Sequence, residues 1–93
     1  MKKQIQILGL AILLLIVPFY SHAQKGLLKK ANEYYEFLAF SEAIPKYEQV
    51  LKKNSTNAEA LIKLADCYRL TNNNQKALET YSKVITLKEV LLP

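Results

Sequence analysis

The sequence predicts an all-α fold made of two copies of one helix–turn–helix unit. Between Ala58 and Ile85, apolar residues recur at the i, i+3, i+4, i+7 spacing of one helix face, on either side of an Asn-rich turn. The same pattern occurs 34 residues earlier in the chain, so that Leu27 corresponds to Leu61. A 34-residue period indicates stacked helical hairpins that share a core. The matched pairs are Leu27 and Leu61, Ala31 and Ala65, Tyr34 and Tyr68, Ala43 and Ala77, Ile44 and Leu78, Tyr47 and Tyr81, Val50 and Val84, and Leu51 and Ile85.

Residues 1–23 predict a cleaved secretory signal. A basic start is followed by the apolar run Ile7–Val17, which is shorter than the roughly 20 residues that cross a bilayer. Pro18 ends this run, and small residues at Ser21 and Ala23 match the pattern that signal peptidase reads. We therefore expect cleavage between Ala23 and Gln24, and export to the periplasm or outer membrane of a Gram-negative bacterium. The alternative is an uncleaved membrane anchor.

Residues 24–57 are predicted to be the first repeat. Its first helix is expected to end near Leu38, and Lys30 stands where the second repeat has Leu64. This lysine weakens the apolar stripe, as expected for a terminal repeat with one side toward water. The residues predicted to face inward are Leu27, Ala31, Tyr34 and Leu38.

The second helix of the first repeat is predicted to follow an N-cap at Ser41 and to end near Lys53. Pro45 then falls in the first turn, where a missing N–H costs little. The predicted inward residues are Ala43, Ile44, Tyr47, Val50 and Leu51.

Residues 58–91 are predicted to be the second repeat. Thr56 and Glu59 match a capping box at its start. The turn Thr71–Asn74 suits the left-handed conformation that ends a helix, and a last helix is expected from about Gln75 to Glu89. Cys67 is predicted to be a small buried hydrophobe. The inward set is Leu61, Leu64, Ala65, Tyr68, Ala77, Leu78, Tyr81, Val84 and Ile85.

The chain closes on the apolar residues Val90–Pro93, which a repeat array would not normally expose to water. We interpret this as a truncation after residue 93, with a docking surface as the alternative.

Composition argues against catalysis and against nucleic-acid binding. The net charge is +5, but lysines such as Lys63 alternate with acids along solvated helix faces instead of clustering on one face. The single histidine, His22, lies in the signal segment, and Cys67 is the single cysteine. Neither glycine belongs to a phosphate-binding loop. We predict a non-enzyme with no catalytic residue, no cofactor and no metal site.

The second repeat resembles the tetratricopeptide consensus at seven positions, with Leu61 in place of its frequent Trp. This resemblance implies two tandem repeats in a right-handed α-solenoid, whose first helices line a concave groove that binds a protein or peptide. Asn32 matches one residue of the carboxylate clamp found in some relatives, but Leu28 stands where the clamp has Lys, so no clamp is predicted. The seven positions are Leu61, Leu64, Ala65, Tyr68, Ala77, Tyr81 and Val84. The groove residues that the resemblance implies are Leu28, Asn32, Tyr35, Ile62, Asp66 and Arg69.

The stretches 23–31 and 63–72 resemble the N-terminal repeats of some OmpA-family envelope proteins. Such proteins continue into a peptidoglycan-binding domain, so peptidoglycan would be a ligand only of a longer parent protein. The sequence thus predicts an exported, non-catalytic interaction scaffold. The alternatives are an N-terminal fragment of an OmpA-like outer-membrane protein and a small membrane-anchored protein.

Overall fold

The computed structural model describes residues 25–91, and across this range it contains four helices and no strand. The prediction of an all-helical fold is confirmed. The predicted signal segment, with its cleavage site between Ala23 and Gln24, lies outside the described residues. Within residues 25–91, no helix is both long enough and apolar enough to cross a membrane. The helices are α1 (25–36), α2 (Phe40–Lys53), α3 (Ala58–Leu70) and α4 (Asn74–Leu91).

The turns inside the two hairpins share one backbone conformation. Leu38 has a φ of 61°, and Asn72, which occupies the equivalent position in the second hairpin, has a φ of 65°. In each turn the next residue donates its N–H to the carbonyl five positions earlier, at 2.9 Å from Ala39 and 2.7 Å from Asn73. Helices commonly end in this way, with one residue in the left-handed conformation and a hydrogen bond back to the last turn. Leu38, predicted to lie on the inner face of α1, is instead in this turn and is 73% exposed.

The start of α2 differs from the prediction. The helix begins at Phe40, so the N-cap is Ala39 and not Ser41. Alanine has no side-chain acceptor, and this helix start lacks a side-chain cap. Pro45 becomes the sixth residue of α2, not a first-turn residue, and the carbonyl of Ser41 loses its helical donor as a result.

The start of α3 is capped by Asn57, whose side-chain oxygen accepts a hydrogen bond from the N–H of Ala60 at 3.0 Å. The capping box predicted for Thr56 and Glu59 is therefore wrong, because the helix begins one residue later than that motif requires. The Thr56 hydroxyl instead donates to the side-chain oxygen of Asn54 at 3.0 Å, within the turn between the hairpins.

Tyr47 and Cys67 are the largest fully buried side chains among residues 25–89, and the burial predicted for Cys67 is confirmed. Around them the helices meet at small residues, which allow close approach of the backbones. Each large apolar side chain buried here stabilises the fold by about 1.5–3 kcal/mol. The remaining buried core residues are Ala31, Ala43, Val50, Ala60, Leu61, Leu64, Ala65, Tyr68, Ala77 and Val84.

The buried stripe of α4 is narrower than predicted. Ala77 and Val84 are buried as expected, but Leu78 is 68% exposed and Ile85 is 59% exposed, so their predicted burial is wrong. The side facing α3 runs through positions 77, 80 and 84, where Thr80 is also buried. Leu78 and Ile85 each follow a buried residue by one position, which turns them about 100° away from α3.

Candidate partner-binding groove

Asn32 on α1 is held by side chains from two other helices. Its Oδ1 accepts hydrogen bonds from the hydroxyl of Tyr47 on α2, at 2.6 Å, and from Nζ of Lys63 on α3, at 3.2 Å. Its Nδ2 donates to Oε2 of Glu59 at 3.0 Å. Both ends of the amide are therefore engaged, and the side chain is fixed between the two hairpins.

Asp66 on α3 plays the matching role in the second hairpin. Its Oδ2 accepts from the hydroxyl of Tyr35 on α1 at 3.2 Å, and its Oδ1 accepts from the hydroxyl of Tyr81 on α4. Nη2 of Arg69 lies 3.7 Å from the same Oδ1. One carboxylate thus ties α1 to α4 through α3, and such charge-assisted bonds are stronger than neutral ones.

Lys63 and Tyr35 join these two clusters into one network. Nζ of Lys63 lies 5.4 Å from the ring centroid of Tyr35, within cation–π distance. The Tyr35 ring also packs edge-on against Phe40, at 5.6 Å between centroids, and against Tyr47, at 6.4 Å. We call the joined set the groove network, and its members are Asn32, Tyr35, Tyr47, Glu59, Lys63, Asp66, Arg69 and Tyr81.

The tyrosines of the groove network act as hydrogen-bond donors at neutral pH. Burial raises the pKa of Tyr47, and burial together with the neighbouring Asp66 raises the pKa of Tyr35. The hydrogen bond to Asp66 is the main cause of the raised pKa of Tyr81. These hydroxyls therefore stay protonated and keep pointing at their acceptors.

The groove network repeats with the same 34-residue period as the core. Tyr47 donates to Asn32, and Tyr81 donates to Asp66. Tyr81 and Asp66 each lie one repeat period after Tyr47 and Asn32, respectively. In each hairpin, a tyrosine from the second helix thus orients a polar side chain on the first helix.

A model of the tetratricopeptide repeat matches residues 39–86, just over half of the chain. The chain belongs to the tetratricopeptide repeat family. Tetratricopeptide repeats are typically non-catalytic modules that bind other proteins or peptides. No curated protein matches the chain. In the part of the chain that the structure describes, no cluster of His, Cys, Asp or Glu could hold a metal ion.

Of the six groove residues that the tetratricopeptide resemblance implies, the structure brings four into the groove network: Asn32, Tyr35, Asp66 and Arg69. Ile62 lies on α3 and is 40% exposed. Leu28 packs against the core and, with Val50 and Asn57, lines a hollow of about 160 Å³. Tyr35 is half-buried and packs edge-on against Phe40 and Tyr47.

Sequence reasoning missed half of the groove network. The prediction that Lys63 belongs to a solvated face is wrong, since it is half-buried between Asn32 and Tyr35. The sequence predicts Tyr47 and Tyr81 only as core residues, and Glu59 only as a capping residue. The 34-residue offset could have identified these residues, because it relates the polar acceptors Asn32 and Asp66 as well as the apolar positions.

Proposed function

We propose that this chain is an exported, non-catalytic scaffold that binds a peptide segment of another protein along α1 and α3. The observation that carries this proposal is the groove network, which fixes polar side chains at the junction of the two hairpins. A surface ordered before binding loses little conformational entropy when a partner docks.

Two side chains remain available to a partner, one within the groove network and one beside it. The Arg69 side chain is 56% exposed and its contact with Asp66 is long, so its guanidinium can still donate to a carboxylate or carbonyl of the partner. Ile62, two helical turns earlier on the same helix, offers a partly exposed apolar contact. A segment with an apolar side chain close to an acidic one fits this pair.

The binding proposal is tested by screening a displayed library of random peptides against the purified chain. For a selected peptide, the dissociation constant is measured by isothermal titration calorimetry with Ile62→Ala and Arg69→Ala. We expect each variant to weaken binding by about tenfold, the usual effect of losing a contact worth a little over 1 kcal/mol.

The matched control is Leu78→Ser, which removes an exposed apolar side chain from α4 and should leave peptide affinity unchanged. A selected peptide that is weakened by Leu78→Ser and not by the two groove variants would contradict binding in the groove. Failure of every peptide in the library to bind would also contradict binding in the groove.

The proposed export rests on residues 1–23, with their basic start, short apolar run and small residues before Gln24. Mass spectrometry of the protein recovered from the periplasm and membranes should give an N-terminus at Gln24. An intact N-terminus in the membrane fraction would favour the uncleaved anchor, and recovery from the cytoplasm alone would overturn export.

The likeness of residues 23–31 and 63–72 to OmpA-family envelope proteins supports a further proposal, that the scaffold serves an outer-membrane protein that binds peptidoglycan. Sequencing the coding frame past Pro93 tests this proposal directly. An in-frame domain with peptidoglycan-binding residues would support it, and a stop codon there would contradict it.

A further inference from the structure

The hollow of about 160 Å³ lies at the end of the first hairpin that is opposite its turn. The floor of the hollow is apolar. Val50 is 5% exposed, and Leu27 and Leu28 are half-buried and pack against the core. The rim is polar and comes from the first residue of α1, the end of α2 and the turn before α3. We call this site the lysine hollow, and its rim residues are Lys25, Lys53, Asn54 and Asn57.

The rim of the lysine hollow offers positive charge and hydrogen-bond donors. Lys25 and Lys53 are both exposed. Oδ1 of Asn54 already accepts from the N–H and the hydroxyl of Thr56, and Oδ1 of Asn57 is occupied as the cap of α3. The two amides therefore have only N–H groups to offer a ligand. Among the described residues that line the hollow, none is acidic, so the rim suits an anion.

The cations of the lysine hollow are not a requirement of the repeat. One period later, Glu59 stands at the position of Lys25 and Leu87 at that of Lys53, whereas the three floor positions stay apolar. Helix electrostatics favour Lys53 at the negative carboxyl end of α2, but not Lys25 at the positive amino end of α1. The charge of Lys25 therefore opposes its own helix, whereas it would attract an anion in the hollow.

We propose that the lysine hollow binds a short-chain fatty acid, with the carboxylate at the rim and the acyl chain on the floor. An apolar cavity of about 150 Å³ holds one benzene molecule, so the hollow has room for a chain of about six carbons. The carboxylate accepts hydrogen bonds from the ammonium and amide groups, and such charge-assisted bonds are stronger than neutral ones. This site goes beyond the proposed peptide binding, because its ligand is a small molecule.

Both parts of the ligand are needed for binding. Exposed lysines hold a bare anion weakly, because water and salt screen the attraction. An uncharged chain fills the floor but leaves the rim cations partly desolvated and without a counter-charge. The lysine hollow should therefore prefer hexanoate to acetate, which lacks the chain, and to 1-hexanol, which lacks the charge.

The test is a titration of the purified, isotope-labelled chain with sodium hexanoate at neutral pH, followed through the backbone amide signals in NMR spectra. Sodium acetate, 1-hexanol and N-acetyl-leucine are titrated separately, the last because it carries its carboxylate beside a peptide group. The hexanoate and hexanol titrations are repeated with the double variant Lys25→Leu, Lys53→Leu. Lys83→Leu is the matched control, since it removes an exposed lysine that does not line the hollow.

We expect hexanoate to bind with a dissociation constant of about 1 mM, as suits a ligand of this size, and to shift the amide signals of residues 50–57 most. Acetate and hexanol should each bind at least about tenfold more weakly. The double lysine variant should weaken hexanoate binding by about tenfold while it binds hexanol no more weakly than the natural chain does. Lys83→Leu should leave hexanoate binding unchanged.

Three results would overturn the proposal. Equal affinity for hexanoate and hexanol would show that the lysines do not select the charge, and equal affinity for hexanoate and acetate would show that the floor does not hold the chain. Tighter binding of N-acetyl-leucine than of hexanoate would assign the hollow to the end of a peptide. These comparisons use the natural chain, so they do not depend on the folding of a variant.

The groove variants Ile62→Ala and Arg69→Ala separate this proposal from the proposed peptide binding. Neither residue lines the lysine hollow, so both variants should bind hexanoate as the natural chain does. A loss of hexanoate binding in these variants would place the fatty acid in the groove and would overturn the assignment to the hollow. Failure of peptide binding in the groove would leave the hexanoate result unaffected.

Discussion

The two hairpin turns adopt one backbone with two very different sequences. The second turn places Asn72 in the left-handed conformation and Asn73 before α4, where its side chain accepts from the N–H of Lys76 at 3.4 Å. The first turn uses Leu38 and Ala39 at the same two positions. Asparagine tolerates positive φ and caps helices, whereas that conformation costs leucine about 1–2 kcal/mol and alanine caps nothing.

The contrast continues into the second helix of each hairpin. Pro45 interrupts the hydrogen bonding of α2, while α4 has Glu79 at the equivalent position. The first hairpin therefore goes against local preference at three sites where the second follows it. Its conformation must be imposed by packing around the fully buried Tyr47 and by the docking of α3 on α2. We infer that tertiary contacts stabilise the conformation of the first hairpin, whereas local sequence preferences also stabilise that of the second.

The largest expected effect comes from moving the proline into the second hairpin. Glu79→Pro should lower the free energy of unfolding by about 3 kcal/mol, since it removes a helical N–H and clashes with the preceding turn. The measurement is urea unfolding followed by circular dichroism. Glu79→Ala is the control and should change stability little, because Glu79 is exposed. A loss from Glu79→Pro below about 1 kcal/mol would show that α4 depends as little on local structure as α2 does.

Raising the pH should destabilise the second hairpin through Cys67, a thiol that the first hairpin lacks. Burial raises the pKa of Cys67 from 9.0 to about 11, and the exposed Glu33 occupies the equivalent position. The unfolded chain then loses this proton before the folded chain does, so stability is full below pH 9 and falls as the pH rises to about 11. The loss should reach roughly 2 kcal/mol, with more above pH 10 because burial also raises the pKa of Tyr47 and of Tyr68.

The pH effect is measured as urea unfolding between pH 8 and pH 10, below most tyrosine titration. Cys67→Ala should flatten this part of the profile, while its baseline stability falls with the lost packing of a small side chain. A profile that falls equally in both proteins would assign the loss to other groups.

Leu38→Asn should stabilise the first turn by about 1 kcal/mol, because asparagine accepts a φ of 61° at less cost than leucine. Leu38 is 73% exposed, so little packing is lost. The converse change, Asn72→Leu, should destabilise the second turn by a similar amount. The urea midpoints of Leu38→Asn and Asn72→Leu are compared. If Leu38→Asn destabilised the chain, the Leu38 side chain would contribute packing that its exposure does not suggest.

Periodicity identified the hairpins because the residues that fill the core are the ones that repeat. It failed at Leu78 and Ile85 because it marks positions that a neighbouring helix would cover, whether or not that helix is present. Their counterparts Ile44 and Leu51 are half-buried and pack against the core. Pattern alone cannot distinguish these two situations.

The hydrogen bonds of the groove network could not be predicted from the sequence. The tetratricopeptide resemblance implies that Asn32, Tyr35 and Asp66 line a groove, but it does not predict their hydrogen bonds, which join residues 15 to 31 positions apart. Such bonds depend on how closely helices approach and on rotamers, which sequence spacing does not determine. The starts of α2 and α3 were misplaced by one or two residues because serine, threonine and asparagine in these turns offer competing caps.

The smallest expected effect is at the start of α2. Ala39→Asn should add about 0.5–1 kcal/mol by giving the helix the side-chain acceptor that Asn73 provides for α4. Asn73→Ala is the mirror control and should lose a similar amount. Thermal midpoints of both variants are compared with those of the Leu38→Asn protein and of the Leu38→Asn, Ala39→Asn double variant. Because the two positions are adjacent, gains that fall short of additive would show that one asparagine already relaxes the turn, and that Leu38 and Ala39 act as one linked site.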